Sequence, residues 1–267
     1  MSWLGPVLAV AGLAFRESAR NRVLHALVGA TLLMTGASVV FGWVSGDEQA
    51  RQLKIVADLS LSAIALLGTI ASIFLGTNLV YQEVERRTVY TVLARPIDRG
   101  GFIVGKYLGL AGVMAVAVAA MSAGFLLVYG LAGGRPSVGL LVALALTYVE
   151  LAVVIGVAVF FSVAAHPIEG AVFAFVVALA GHVTADLQRL GADLARDASG
   201  VGVVVLEKVL YGAYVLLPNL ENFNVRPHAA HGVAIDPAHA GLALVYAVVY
   251  VAILLGLATV VFRRKVL

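Results

Sequence analysis

The sequence lacks cysteine entirely and contains few charged residues. Only 12% of its 267 residues are Asp, Glu, Lys or Arg, whereas a soluble domain averages about 25%. Without cysteine there can be no disulfides, thiolate metal sites or cysteine nucleophiles. Apolar residues take the place of the missing charge: they make up 61% of the chain, at a mean hydropathy of +1.00, and lie in long runs. This composition indicates an integral membrane protein.

Six apolar runs predict six transmembrane helices, since a helix needs about 20 residues to cross a bilayer. The runs cover residues 23–44, 59–81, 107–130, 139–163 and 241–262, with a shorter one at 167–185. In lipid the backbone must pair its polar groups within each segment, so these runs must be helical. Residues 199–220 are also apolar, but Glu207 and Lys208 lie at their middle and disfavour a seventh span. The predicted fold class is an all-α integral membrane protein.

The first apolar run, residues 3–15, has the length of a signal-peptide core. No positive charge precedes it, and several charges follow it at residues 16–22. We therefore interpret residues 1–22 as an elbow helix that lies along the membrane interface. A short true span is the alternative.

The positions of Lys and Arg predict the orientation of the chain. Eleven of the 18 basic residues fall in three short segments, namely the N-terminal elbow, residues 82–106 and the C-terminal tail. Cytoplasmic segments carry such an excess, so both termini and residues 82–106 are predicted to face the cytoplasm. The chain then forms one transmembrane domain, 1–267. It contains the elbow (1–22), spans one to five (23–185), an external excursion (186–240) and the last span with its basic tail (241–267). We expect the excursion to hold short helices that rest on the membrane face.

Residues 82–106 mix acids with bases. Glu83 and Arg87 are four residues apart in the order that favours a helix. Pro96 ends that helix, and Asp98 is placed to cap the next one. Basic clusters beside a membrane often serve only topology and lipid contact, and that interpretation stays open. The acids, however, suit a folded protein partner better than an anionic lipid surface.

The segment GGFIVGK, residues 100–106, matches the spacing of a phosphate-binding loop. Tyr107 follows it where that motif needs Ser or Thr for Mg²⁺. An apolar span follows as well, and no strand precedes the segment. The sequence therefore predicts no ATP site in this chain, which is not expected to be an enzyme by itself.

The pattern E-x-E-R-R-T-V-Y-T-V-L-A-R-P-I-D-R-x-x-F-I-V-G-K, residues 83–106, resembles the cytoplasmic loop of ABC-2-type permeases. It is most similar to the branch that contains the nitrous-oxide-reductase maturation permease NosY and the gliding-motility permeases. Arg87 departs from this pattern, since many relatives have Gly before the Thr. The elbow, the six spans and the outer segment LPNLENFN (217–224) also resemble this branch.

The resemblance implies an ABC-2 (type V exporter-like) architecture in a bacterial cytoplasmic (inner) membrane. It implies a dimer with a second permease copy or a paralogue, and a separate soluble ATPase subunit that binds ATP and Mg. Each permease loop would place a coupling helix in a groove of that ATPase, and the chain itself would hold no cofactor. The residues expected to couple to the ATPase are Glu83, Glu85, Arg86, Arg87, Thr88, Leu93, Arg95, Pro96, Asp98, Arg99 and Lys106.

Glu150 is the one acid inside a predicted span and is therefore a possible intramembrane polar site. The alternative is a structural hydrogen bond between helices. His228, His231 and His239 cluster in the excursion but are weak metal candidates, because the chain lacks cysteine and no methionine lies nearby. No surface of basic and aromatic residues suggests nucleic acid.

Two other functions remain possible from the residues alone. The chain could be a non-transporting membrane scaffold whose ATPase partner drives a mechanical or assembly task. It could also be a self-sufficient secondary transporter that uses Glu150. The substrate cannot be inferred from apolar spans.

Overall fold

The computed structural model describes residues 4–46, 48–85, 98–197 and 201–265, and every regular element in these ranges is a helix. We number the α-helices in chain order, with one 3₁₀ turn, Leu220–Phe223, lying between the seventh and the eighth. They are α1 (Leu4–Ala19), α2 (Arg22–Val44), α3 (Gln49–Glu85), α4 (Arg99–Leu131), α5 (Val138–Ala164), α6 (Pro167–Asp197), α7 (Val201–Leu216), α8 (Arg226–Ala230) and α9 (Pro237–Lys265).

Six helices of the described part are long and apolar enough to cross a membrane: α2, α3, α4, α5, α6 and α9. They match the six predicted spans, and the all-α membrane fold is confirmed. Helix α7, which covers the rejected seventh run, has only 16 residues and is not among the six. Helix α3 has 37 residues and is about 55 Å long, so it is longer than the bilayer core of about 30 Å.

Polar side chains define where two of the spans begin. The side chain of Asn21 accepts a hydrogen bond from the Val23 amide, 2.9 Å away, at the start of α2. Ser137 does the same for Leu140 at the start of α5, at 3.3 Å. Such caps satisfy backbone donors that the first helical turn leaves unpaired. They set the turn after the elbow and the turn after α4.

The central packing joins α3 to α2, α5, α4 and α6. Small residues allow α3 and α5 to approach closely, as expected for helices in lipid. A Cβ atom on Gly68 would lie 2.6 Å from the Leu151 side chain, and one on Gly76 would lie 2.5 Å from Ala158. At these two glycines the small residues of span two serve close helix packing.

The elbow helix α1 packs tightly along the first turns of α4. Gly109 makes this possible, because a Cβ atom there would lie 2.5 Å from the Ala11 carbonyl oxygen and 2.6 Å from the Ala14 side chain. Ala14 is itself fully buried. One face of the elbow is therefore a protein contact, which a helix bound only to lipid would not have.

We predict that Gly109→Ala destabilises the chain by about 1–3 kcal/mol, the usual cost of overpacking. The same change at Gly256 in α9 meets no atom within 4 Å, and it should be neutral or slightly stabilising because alanine favours a helix. Melting temperatures of the two purified variants test this difference in sign. Equal melting temperatures would contradict the close contact of α1 with α4.

The end of the elbow helix α1, the start of α4 and the end of α9 lie at the same end of the helix bundle. Lys106 Nζ in α4 is 3.8 Å from Glu17 Oε2 in α1. Asp98 Oδ1, just before α4, is 3.6 Å from Arg263 Nη2 near the end of α9. The side of the membrane that this end faces stays a prediction.

The outer segment between α7 and α9 differs from its prediction. It was expected to rest on the membrane face, but the 3₁₀ turn and α8 pack into the bundle against α3, α5 and α6. Leu220 and Phe223 are fully buried. The Asn219 amide donates to the Tyr246 hydroxyl at 2.8 Å, which attaches the segment to α9. Because apolar and amide residues alternate in this segment, its hydropathy does not reveal that it packs into the bundle.

Candidate functional site

Most of the predicted coupling residues lie outside the described part of the chain. Helix α3 ends at Glu85 and α4 begins at Arg99, so the expected coupling helix falls in residues 86–97. The residues outside the description are Arg86, Arg87, Thr88, Leu93, Arg95 and Pro96. The backbone of Glu83 and Glu85 belongs to the last turn of α3. Their roles in coupling remain predictions.

Asp98 and Arg99 connect the end of this loop to the C-terminal helix. Asp98 occupies the predicted N-cap position of α4 but makes no side-chain cap. Its carboxylate instead faces Arg263 at 3.6 Å, and Arg99 Nη1 donates to the Arg263 carbonyl at 3.0 Å. The loop that precedes α4 is therefore tied to the last span as well as to its own two helices.

Among the predicted coupling residues whose burial the structure describes, Lys106 is completely buried, whereas Asp98 is exposed and Arg99 is partly buried. Its ammonium lies 3.8 Å from Glu17 and 5.7 Å from the centre of the Phe102 ring. This placement joins α4 to the elbow helix. The packing of α1 over Lys106 is not visible in a local sequence pattern, and the role of Lys106 in coupling stays a prediction.

The segment that resembles a phosphate-binding loop is the first two turns of α4. A phosphate-binding loop must point several free amides at the ligand, whereas amides beyond the first turn of a helix are already paired. Gly105 also faces the Val7 carbonyl oxygen, 2.8 Å from where a Cβ atom would stand. The helical conformation of this segment thus differs from that of a phosphate-binding loop.

Glu150 is the centre of a buried ion cluster that joins three parts of the fold. Its side chain is fully buried in the middle of α5. Oε1 lies 3.0 Å from Nε2 of His182 in α6, and Oε2 lies 3.4 Å from Nη1 of Arg226 in α8. Asn224 accepts from Arg226 Nε at 2.9 Å, so the outer segment supplies both the arginine and its support.

Hydrogen-bond chemistry places one proton between His182 and Glu150. Nδ1 of His182 lies 2.9 Å from the Ala178 carbonyl oxygen, which can only accept, so Nδ1 carries a hydrogen. A hydrogen bond between Nε2 and Oε1 then needs one further proton, shared by imidazole and carboxylate. Glu150 Oε2 and Arg226 Nη1 have no hydrogen-bond partner despite being buried. The cluster therefore combines a 3.0 Å hydrogen bond between His182 and Glu150 with a longer ion pair, 3.4 Å, between Glu150 and Arg226.

A cavity of about 360 Å³ lies beside this cluster. Helices α3 and α6 form most of its wall, α5 supplies Glu150, and the outer segment closes one side with Asn224, Arg226 and Pro227. The remaining lining residues are Asp58, Ser62, Ala65, Leu66, Thr69, Phe175, Ala178, Leu179 and His182. The volume lies within the range of ligand pockets, about 300–1,000 Å³.

Sequence reasoning found Glu150 but missed its partners. The nearby Tyr148 donates to the Ala111 carbonyl at 3.2 Å and is not a partner of Glu150. His182 comes from the next span and Arg226 from the outer segment, and neither is close to Glu150 in the sequence. The one signal that could have found Arg226 was its place two residues after LPNLENFN, the outer segment that resembles the permease branch.

The histidines of the outer excursion are not brought together as a metal site. Within the described ranges no three His, Asp, Glu or Cys side chains form a group that could hold a metal. His231 Nδ1 donates to the Pro227 carbonyl at 2.8 Å, and His239 Nε2 donates to the Asn222 carbonyl at 2.9 Å. These two rings fasten the outer segment to neighbouring backbone.

The fold and the buried cluster define a multi-pass membrane protein with an ion network in its interior. Its class is given by sequence comparison as well: a model for ABC-2 family transporter proteins matches residues 8–267. The chain belongs to the ABC-2 transporter family. No curated individual protein matches the sequence.

Proposed function

We propose that the chain is the permease subunit of an ATP-binding cassette transporter. A separate soluble ATPase would bind ATP and Mg, dock on residues 83–99 and drive movement of a substrate, most simply by export. The observation that carries the proposal is the family match over nearly the whole chain. An ATPase in a partner is also the simplest source of energy for a chain that is predicted to have no ATP site of its own.

The contacts around the loop support this mechanism. The 13 residues from 86 to 98 connect α3 to α4, which pack together directly. Asp98 and Arg99 attach the loop to α9, and Lys106 attaches α4 to the elbow. A push on the loop would therefore reach α1, α3, α4 and α9 together, as a coupling element requires.

We further propose the bacterial cytoplasmic membrane as the location, with both termini and the loop cytoplasmic, and a dimer as the working form. The dimer could contain two copies or a paralogue. Membership of the NosY and gliding-motility branch rests on the loop pattern and the outer LPNLENFN segment. The location, the dimer and the membership of this branch are all parts of the proposal.

Co-purification tests the proposed partnership. The full-length chain is tagged in its native host, extracted in mild detergent and examined for a co-eluting P-loop ATPase. The complex is expected to hydrolyse ATP, and the chain stripped of its partner is expected neither to bind nor to hydrolyse it. ATP turnover by the chain alone would contradict the proposal.

Single cysteines introduced into this cysteine-free chain test the predicted orientation. A cysteine at position 228, an exposed position of α8, should react with an impermeant maleimide in intact cells. Cysteines at positions 90 and 265 should react only after the cells are opened. Labelling of either of these positions in intact cells, or protection of position 228, would contradict the predicted orientation.

A further inference from the structure

One face of α3 supplies the long wall of the cavity beside Glu150. Asp58, Ser62, Ala65, Leu66 and Thr69 are spaced at i, i+4, i+7, i+8 and i+11, the spacing of a single helical face. Asp58 is at one end of this face, within the apolar helix that crosses the membrane. An ionisable residue in such a helix marks a functional site by default.

The carboxylate of Asp58 is exposed to the cavity and available to a ligand. Within the described part of the chain, no ion pair or hydrogen bond engages it. The other three charged or titratable side chains that line the cavity, Glu150, His182 and Arg226, contact one another. Arg226 is held by Asn224 and Glu150, and both ring nitrogens of His182 are bonded. Asp58 is therefore the charge that a bound molecule would meet.

Most of the remaining wall is apolar, and the cavity opens on the surface of the helix bundle. Leu66, Phe175 and Leu179 line the cavity and are 58%, 49% and 61% exposed, on helices that cross the membrane. Surface residues of such helices contact lipid chains. A molecule could thus enter from the bilayer, with its apolar body along these side chains and its polar end toward Asp58.

We propose that this cavity is a binding site for a cationic amphiphile, a molecule with an ammonium head and an apolar body. The head would form a charge-assisted contact with Asp58 and hydrogen bonds with the nearby Ser62 hydroxyl. The ring of Phe175 and the leucines would cover the apolar body. Neither the family nor the proposed coupling mechanism requires such a site.

The buried cluster does not oppose a cation at this position. With its shared proton the cluster carries one positive charge, but Glu150 lies near the level of Gly68, because the next residue of α5, Leu151, contacts that glycine. That level is ten residues along α3 from Asp58, or about 15 Å. A cation in contact with Asp58 at about 4 Å would be attracted several times more strongly than the cluster repels it.

Fluorescence of dansylcadaverine, a primary ammonium on an aromatic body, tests the proposal. The full-length chain is placed in phosphatidylcholine nanodiscs without any partner. We expect saturable binding with a blue-shifted emission. Asp58→Asn should weaken it at least about tenfold, the loss of one charge-assisted contact. Ser62→Phe, which fills the cavity without changing charge, should abolish it.

Two controls distinguish binding at this site from general partitioning of the probe into the lipid. Glu48→Gln removes an exposed acid at the start of the same helix, outside the cavity, and should leave binding unchanged. The N-acetylated, uncharged probe should bind the original chain and Asp58→Asn equally weakly. Each variant must elute as a single folded species.

Three results would overturn the proposal: no saturable binding, equal binding by Asp58→Asn, or tighter binding of an anionic dansyl analogue. The experiment needs no ATPase, so its failure would leave the proposed permease function standing. Conversely, binding would persist if that function were wrong.

Discussion

Replacement of Arg226 by methionine is expected to destabilise the protein by about 3–5 kcal/mol, the usual effect of removing one partner of a buried ion pair. For a chain of this size, this corresponds to a melting temperature lower by roughly 10 °C. Glu150 would keep its shared proton with His182 but lose the guanidinium on its other oxygen, 3.4 Å away. Because Glu150 is fully buried, its carboxylate would be left in the interior without the cation that faces it.

The double variant Glu150→Gln with Arg226→Met distinguishes an ion pair from simple packing. Once both charges are gone, no buried charge is left uncompensated, so the double variant should lose clearly less stability than the sum of the two single variants. Exactly additive losses would mean that the two side chains do not interact in the membrane.

Arg51 provides a matched control for the same substitution. It pairs with Glu48 at 3.6 Å, but both side chains are more than 60% exposed. Exposed pairs contribute about 0–1 kcal/mol, so Arg51→Met should change the melting temperature little. A similar loss for Arg51→Met and Arg226→Met would contradict the importance of burial.

The cluster also explains why the outer segment inserts into the bundle. Arg226 reaches Glu150 from α8, while Leu220 and Phe223 fill the space beside α6. In the variant without the arginine, the outer segment should become more accessible. A cysteine at position 224 should then react faster with maleimide than in the original chain, and an unchanged rate would argue against this role of the arginine.

The spans could be predicted from the sequence, because hydropathy depends on runs of neighbouring residues. The turn at Asn21 and the break before α4 also follow from local patterns. The partners of Glu150 could not, since His182 is 32 residues away and Arg226 is 76 residues away. Nothing in a single sequence records such pairings. Asp58 was overlooked because it immediately precedes the apolar run that was taken as the span.

Burial of individual charges was the least predictable feature. Lys106 is followed by an apolar run, and its position at the membrane edge suggested a loop charge. The structure buries it because Gly105 and Gly109 let the elbow helix cover it. The elbow itself was predicted, but its contact with α4 depends on packing between segments about 100 residues apart.

Replacement of Leu93 by aspartate is expected to release the ATPase partner or abolish its stimulation, while the chain still inserts and folds. In the proposed coupling helix, Leu93 would be the apolar side chain that fills the groove of the ATPase. Truncating or charging such a buried contact residue costs about 2–5 kcal/mol, which is a loss of roughly 30-fold or more in affinity. Co-purification and ATPase assays measure both effects.

Two further variants show whether the loss is specific to the loop. Leu131→Asp makes the same substitution at an exposed leucine at the end of α4 away from the loop, so partner binding should be unaffected. Arg86→Ala should weaken the complex only modestly and more at low salt than at high salt, because a rim charge is screened.

The decisive comparison is between Leu93→Asp and a second variant in which the charges of Glu83 and Arg87 are both reversed. A coupling helix needs both its apolar contact and its charge pattern, so the doubly reversed variant should also lose stimulation. A transporter and a mechanical scaffold would both show these losses, since each works through an ATPase, whereas a self-sufficient transporter would not. If both variants retain partner binding and function, residues 83–99 serve only topology and lipid contact, and the ATPase must dock elsewhere.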